Sequence, residues 1–271
     1  MQYRILYILT LITVLNIASA RHTYAQPTKR ADVTVFAAVS LSDLFTSMSK
    51  DFEGTHPQYH LIFNYAGSQQ LVRQIAEGAT VDIFASANLK QMQTAVTTGR
   101  VDSTSIRIFA YNRLVIITTA DAAAGIKSLR DLTRPGLKIV LAASVVPAGQ
   151  YALDFLDKCD RSSLTGPHFK EDVLRNVVSY EENVRMVLAK VTLGECDAGI
   201  VYWTDIQSDV SHRISQLPIP DSLNVLTEYP IAIIDDSHQK HIAEEFIRYI
   251  CSEQGQAVVR RFGFITDKPV R

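Results

Sequence analysis

Cysteine is scarce in this chain. Only Cys159, Cys196 and Cys251 occur in 271 residues, and no two have CxxC spacing. A disulfide-stapled scaffold is excluded, one internal disulfide is the most that can form, and most of the stability must come from apolar burial. Glycine and proline are also few, at 12 and 9, while 47% of residues are hydrophobic and 20% charged. That balance excludes collagen-like repeats and a disordered chain. Neither sign of charge dominates: 27 Lys and Arg stand against 28 Asp and Glu, a formal net charge of −1. With no local basic run either, nothing draws in nucleic acid or an anionic membrane. Enzyme signatures are missing too, with no GxSxG elbow, GxxxxGK(S/T) loop, GxGxxG or HExxH.

A long apolar run occurs once. Arg4 precedes an almost wholly apolar stretch from Ile5 to Ile17 that ends in Ala18-Ser19-Ala20. A basic residue, a short apolar stretch and a small-x-small site form the grammar of a secretory signal peptide. The run is too short to span a bilayer, and Thr10, Thr13 and Asn16 dilute it. Cleavage is expected after Ala20, alternatively after Ala25, which makes the mature protein periplasmic. It carries 26 basic and 28 acidic residues once Arg4 is lost. No cysteine lies near the cut to take a lipid anchor.

The rest of the chain alternates strand and helix. β-branched or apolar runs at Val33–Ala37, Tyr59–Tyr65, Val81–Ala85, Ile106–Ala110, Arg113–Thr119, Leu137–Ala142, Ala198–Tyr202 and Pro230–Ile234 predict strands. Helical spacing predicts helices over Ser42–Phe52, Ser68–Glu77, Leu89–Val96, Gly149–Asp157, Asn183–Thr192 and His238–Cys251. Such alternation implies an α/β protein of parallel βαβ units in doubly wound sheets. Some 240 mature residues fit two lobes. Residues 31–111 with 228–267 are expected to form the first lobe and 112–227 the second. The chain crosses between them near Tyr111 and again over Leu223–Pro230, as a two-strand hinge.

Ligands of doubly wound sheets bind beyond the carboxyl ends of strands, where helix starts present free N–H groups and partial positive charge. Four junctions carry small or hydroxyl residues: Phe36-Ala-Ala-Val-Ser40-Leu-Ser42-Asp43, Ala66-Gly-Ser68-Gln-Gln70, Val145-Val-Pro-Ala-Gly149 and Glu181-Glu-Asn-Val184. Each alone is what ordinary helix capping produces. Together, on both expected lobes, they point to an anion held in a cleft. Metal pairings are poor. His238 and His241 sit three apart beside the capping candidates Asp235, Asp236 and Ser237, and Pro57 separates His56 from His60.

At these junctions the chain resembles the molybdate-binding receptors of bacterial ABC importers. The resemblance rests on Phe36-Ala-Ala-Val-Ser40-Leu, Gly67-Ser68 with Leu71-Val-Arg-Gln-Ile75, Asp82-Ile-Phe-Ala-Ser86-Ala87, Val146-Pro-Ala-Gly149-x-Tyr151-Ala152, Glu182-Asn-Val-Arg185 and Gly199-Ile-Val-Tyr202, in order from Val33 to Phe264. It implies a two-lobed periplasmic binding fold of type II that holds molybdate or tungstate between its lobes, without a cofactor, metal cation or basic side chain. It further implies a monomer that delivers its anion to a membrane permease. Carried over by position, Ser40 and Ser68 each offer a hydroxyl and a backbone N–H. Ala148 and Val184 offer backbone N–H groups, and Tyr202 its phenol. Two departures stand out: Ala142-Ala-Ser-Val145 lacks a proline common in relatives, and Trp203 follows the phenol where smaller residues are usual. No acidic residue sits at the Pro-Ala-Gly turn, which favours tetrahedral binding over the octahedral mode of an archaeal tungstate group. The alternatives are a receptor for sulfate or thiosulfate and, in another class, a secreted hydrolase using Ser40 or Ser68 as nucleophile. The latter lacks a histidine at any expected strand end.

Overall fold

The computed structural model describes residues 30–207 and 213–268, so the expected signal peptide lies outside the described residues. Two five-stranded sheets organise the chain into two lobes. The first sheet has the order β2-β1-β3-β10-β4, from β1 (Ala31–Ala38), β2 (Tyr59–Ala66), β3 (Ile83–Ala85), β4 (Arg107–Asn112) and β10 (Thr227–Ile233). The second has the order β7-β6-β8-β5-β9, from β5 (Leu114–Thr119), β6 (Ile139–Ala142), β7 (Val177–Glu181), β8 (Ala198–Tyr202) and β9 (Ile214–Pro218).

β1 shows why the sheets sit inside. Its Val33, Val35 and Ala37 bury on one face with Leu44, Phe45, Met48 and Phe52 of α1 (Ser42–Thr55) and Phe246 of α8 (Lys240–Cys251). Phe36 points the other way, into a cluster with Leu71, Val72 and Ile75 of α2 (Ser68–Ala76) and Met92 of α3 (Leu89–Thr97). A strand covered on both faces has no need of a polar alternate, so it reads as a continuous apolar run. In the second lobe α5 (Pro147–Asp160) and α7 (Val184–Thr192) bury Ala152, Phe155, Leu156, Val187 and Val191 with the strands between them.

The sheets are mixed rather than wholly parallel. β1 runs parallel to β2 and β3, but β10 is antiparallel to both β3 and β4, and β5 to both β8 and β9. These are the strands beside the crossings. One leaves its lobe as its neighbour returns, so they run in opposite senses. The final strand, β10, lies in the first sheet between β3 and β4.

Several elements escape the sequence pattern. β7 and β9 are edge strands with alternating exposure, so they show no apolar run. Between β5 and β6 lies a one-turn helix, α4 (Ala120–Ala123), and α6 (Phe169–Arg175) precedes β7. The expected terminal helix ends at Cys251, where extended Ser252 caps α9 (Glu253–Arg261) by accepting from the Gly255 N–H at 3.1 Å. All three cysteines are free thiols, with Cys159 and Cys196 buried and Cys251 exposed.

Candidate functional site

Four strand-to-helix junctions meet between the lobes around a small cavity of about 10 Å³. The first lobe supplies Ala38–Ser40 after β1 and Ala66–Ser68 after β2, together with Ala87. The second supplies Val146–Ala148, Asn183–Val184 and Tyr202 at the end of β8. Ser40, Ser68, Ala148, Val184 and Tyr202, singled out from sequence, therefore all line one space, and none is more than 5% exposed.

Local geometry explains the convergence. Ser40 lies in a single 3-10 turn, Val39–Leu41, that runs directly into α1. Ser42 is thus the first residue of that helix, and Leu41 takes the capping position. Ser68 opens α2, whose Gln70 side chain accepts from the Gly67 N–H at 2.9 Å. α5 starts at Pro147, two residues earlier than expected, because the proline ring suits a first helical turn. Gly149 follows because any Cβ there would collide with the carbonyl oxygens of Ala142 and Ala143. Val184 opens α7, and the Asn183 side chain turns to its own helix by accepting from the Met186 N–H at 3.1 Å.

The cavity lining contains no Asp, Glu, Lys, Arg or His side chain. Its polar equipment is three hydroxyls and the backbone at helix starts, whose orphan N–H groups suit an anion. The Ser68 oxygen accepts from the Ala87 N–H at 3.1 Å, which leaves the Ser68 proton free to donate. The Ser40 hydroxyl pairs with that of Tyr229 at 3.1 Å. The Tyr202 hydroxyl is buried and makes no hydrogen bond within the protein. Burial holds the Tyr202 phenol well above its ordinary pKa, so the group stays protonated and remains a donor.

Around the cavity the lobes are tied together. The Arg185 guanidinium donates to Asp43 of the other lobe at 2.7 Å and lies 3.3 Å from buried Asp205. Asp205 also accepts from the Tyr202 N–H at 3.1 Å, and burial raises its carboxyl to about 6 against the pull of Arg185. Gln69 donates to the Glu182 carbonyl at 2.8 Å, Gln70 to the Glu182 carboxylate at 3.0 Å, and Gln91 to the Val145 carbonyl at 3.2 Å. Gly67 permits this approach, since a Cβ there would stand 2.7 Å from the Glu182 carbonyl oxygen.

Sequence reasoning missed Tyr229 and Asp205. Neither lies at a strand-to-helix junction of the kind searched, and their roles depend on partners 189 positions away for Tyr229 and 20 for Asp205. The Arg185 at the end of the Glu182-Asn-Val-Arg185 motif was a usable signal for a buried acid. Trp203 lies outside the lining, packed under the Arg113 guanidinium at 4.5 Å from the ring centroid. Among the described residues no group of three or more His, Cys, Asp or Glu side chains is placed to hold a metal ion. With no histidine in the lining, Ser40 and Ser68 lack the base a nucleophile requires.

The chain has relatives among known proteins. Residues 33–265 match the family described as bacterial extracellular solute-binding protein. The molybdate-binding protein ModA of Mycobacterium tuberculosis (strain ATCC 25618 / H37Rv) is 34% identical over 241 residues, spanning 89% of this chain and 87% of its own. Among solved structures, the sulfate-binding protein SubI of M. tuberculosis H37Rv has a TM-score of 0.79 at 18% identity, over 89% of this chain and 88% of that one. The periplasmic molybdate-binding protein of Azotobacter vinelandii has a TM-score of 0.74 at 17% identity, over 87% of this chain and 100% of that one. At such identities both structures speak for the fold alone.

Proposed function

The chain belongs to the bacterial extracellular solute-binding protein family, and on that footing we propose that it is an extracytoplasmic receptor for molybdate and tungstate, serving an ABC permease. One observation carries the reading: a charge-free cavity between the lobes, walled by helix starts and hydroxyl donors, in which the buried Tyr202 hydroxyl has no protein partner.

A bare dianion entering this space exchanges its water shell for fixed donors. Ser40 and Ser68 would each give a hydroxyl and a backbone N–H, Ala148 and Val184 a backbone N–H, and Tyr202 its phenol. Hydrogen bonds to a charged group contribute about 1.5–3 kcal/mol each, so roughly seven such donors suffice for tight binding without a counter-charge. Uncharged donors also leave the lobes free to separate without breaking a buried ion pair with the ligand. Bridging donors from both lobes make the anion itself the adhesive for closure, and the closed surface is what a permease recognises. Sulfate has the same charge and shape, so only the size of the cavity rejects it. The test is a thermal-shift screen of oxyanions on the mature protein, because a ligand that binds only the folded state raises the melting temperature. Stabilisation by molybdate and tungstate above sulfate is expected. Stabilisation by sulfate or thiosulfate alone would transfer the assignment to those anions.

A further inference from the structure

We infer that Arg185 is a positioning residue that latches the closed lobes through Asp43 and so sets how long the anion stays bound; this rests on the oxyanion reading above. Arg185, Asp43 and Asp205 all lie outside the cavity lining, yet each sits close in sequence to a donor that lines it. Asp43 is in the first turn of α1, just after Ser40. Arg185 follows Val184 in α7, and Asp205 stands in the 3-10 turn Trp203–Gln207 that continues from Tyr202. One charged chain, Asp43–Arg185–Asp205, therefore ties the Ser40 junction of the first lobe to the Val184 and Tyr202 junctions of the second.

The two ends of this chain are unlike. Asp205 is fully buried, 3.3 Å from the Arg185 Nε, and accepts from the Tyr202 N–H at 3.1 Å. The Asp43 side chain is 52% exposed and accepts from the Arg185 Nη2 at 2.7 Å. Pulling Arg185 from Asp205 would strip a buried carboxylate of its counter-charge, which is strongly unfavourable, whereas Asp43 regains water at little cost. When the lobes part, the break therefore falls at Asp43. Arg185 stays with its own lobe, held by Asp205 in the pose that meets Asp43 at the next closure. A guanidinium suits this task, because separate N–H groups of one rigid fork face the two carboxylates.

The consequence is kinetic. The Asp43–Arg185 pair forms only as the lobes meet, so it does not hasten the first encounter with the anion. It slows reopening, the step that frees the anion. Gln69, Gln70 and Gln91 also donate across the cleft, but from uncharged side chains, so salt should act chiefly on Asp43–Arg185.

The experiment loads parent and Asp43→Asn protein with radiolabelled molybdate and follows release into excess unlabelled molybdate by rapid filtration, beside calorimetric dissociation constants. Asp43→Asn should release the label about 2- to 5-fold faster, the range for a half-exposed ion pair. The dissociation constant should rise by the same factor, so that the association rate, their ratio, is unchanged. Raising the salt from about 0.05 M to 0.5 M should quicken release from the parent and leave Asp43→Asn nearly unaffected, a difference that a merely local disturbance of α1 would not produce. Equal release rates, an equal salt response in both proteins, or weaker binding through slower association alone would each overturn the latch while leaving the receptor reading intact. A parent that retains no molybdate overturns both.

Discussion

Replacing Tyr202 with phenylalanine should move stability and binding in opposite directions. The Tyr202 side chain is 1% exposed as a residue, and its hydroxyl has no hydrogen-bond partner in the protein. An unsatisfied buried hydroxyl costs about 1–3 kcal/mol, so deleting it relieves the ligand-free closed form by up to that amount. Where the lobes part and water reaches the phenol, the gain shrinks towards zero, but it does not become a loss. For a chain of this size 1 kcal/mol corresponds to roughly 2–4 °C in Tm, so ligand-free Tyr202→Phe protein should melt at or a few degrees above the parent. Binding should go the other way. On the proposed reading the phenol donates to the anion, so its loss should cost about 1.5–3 kcal/mol, or about 10- to 150-fold in affinity. Differential scanning calorimetry without ligand and isothermal titration with molybdate read the two arms. A variant that melts lower yet binds as tightly as the parent would refute the argument, since the hydroxyl would then serve structure and not the ligand.

Three further outcomes follow from the same geometry. Ser68→Ala should weaken molybdate binding about 10-fold or more and also lower stability by about 1–2 kcal/mol, because it strands the buried Ala87 N–H; denaturant melts and titration measure both. Gly67→Ala places a Cβ 2.7 Å from the Glu182 carbonyl across the cleft, while its φ of −62° suits alanine. Stability without ligand should therefore hold or rise slightly, and closure should suffer, seen as weaker binding and a larger radius of gyration with molybdate by small-angle scattering. Asp205→Asn should alter the pH dependence of stability. The buried carboxyl titrates at about 6 against an ordinary 3.8, so between those values the folded chain holds a proton the unfolded chain has released. Its contribution to unfolding free energy is greatest below about pH 4, falls as pH rises to about 6, and is flat above. The difference in Tm between parent and variant should change across that window and nowhere else; an invariant difference would place the titration on another group.

Much of the molecule was legible before folding was considered. The apolar runs at β1, β3, β6 and β8 belong to strands buried on both faces, and the helices that cover them keep the spacing that such burial demands. The small and hydroxyl residues around Ser40, Ser68, Ala148 and Val184 were equally visible, because a helix start needs a short chain turn whatever its ligand. Edge strands β7 and β9 were not, since one face of each meets water and leaves no apolar signature. The helix break at Ser252 was hidden as well, because a single serine marks it.

Local pattern thus set which residues could be donors, through periodicity and turn chemistry acting over a few positions. Whether they face one another depended on two sheets coming together through crossings at Asn112–Leu114 and between Pro218 and Thr227. The Ser40–Tyr229 pair and the Arg185 bridge from Asp43 to Asp205 join residues 189, 142 and 20 positions apart. No short-range rule encodes such contacts. They exist because burial of both sheets brings strand β10 beneath the first helix start. The identity of the candidate donors is a property of the chain, and their convergence a property of the fold.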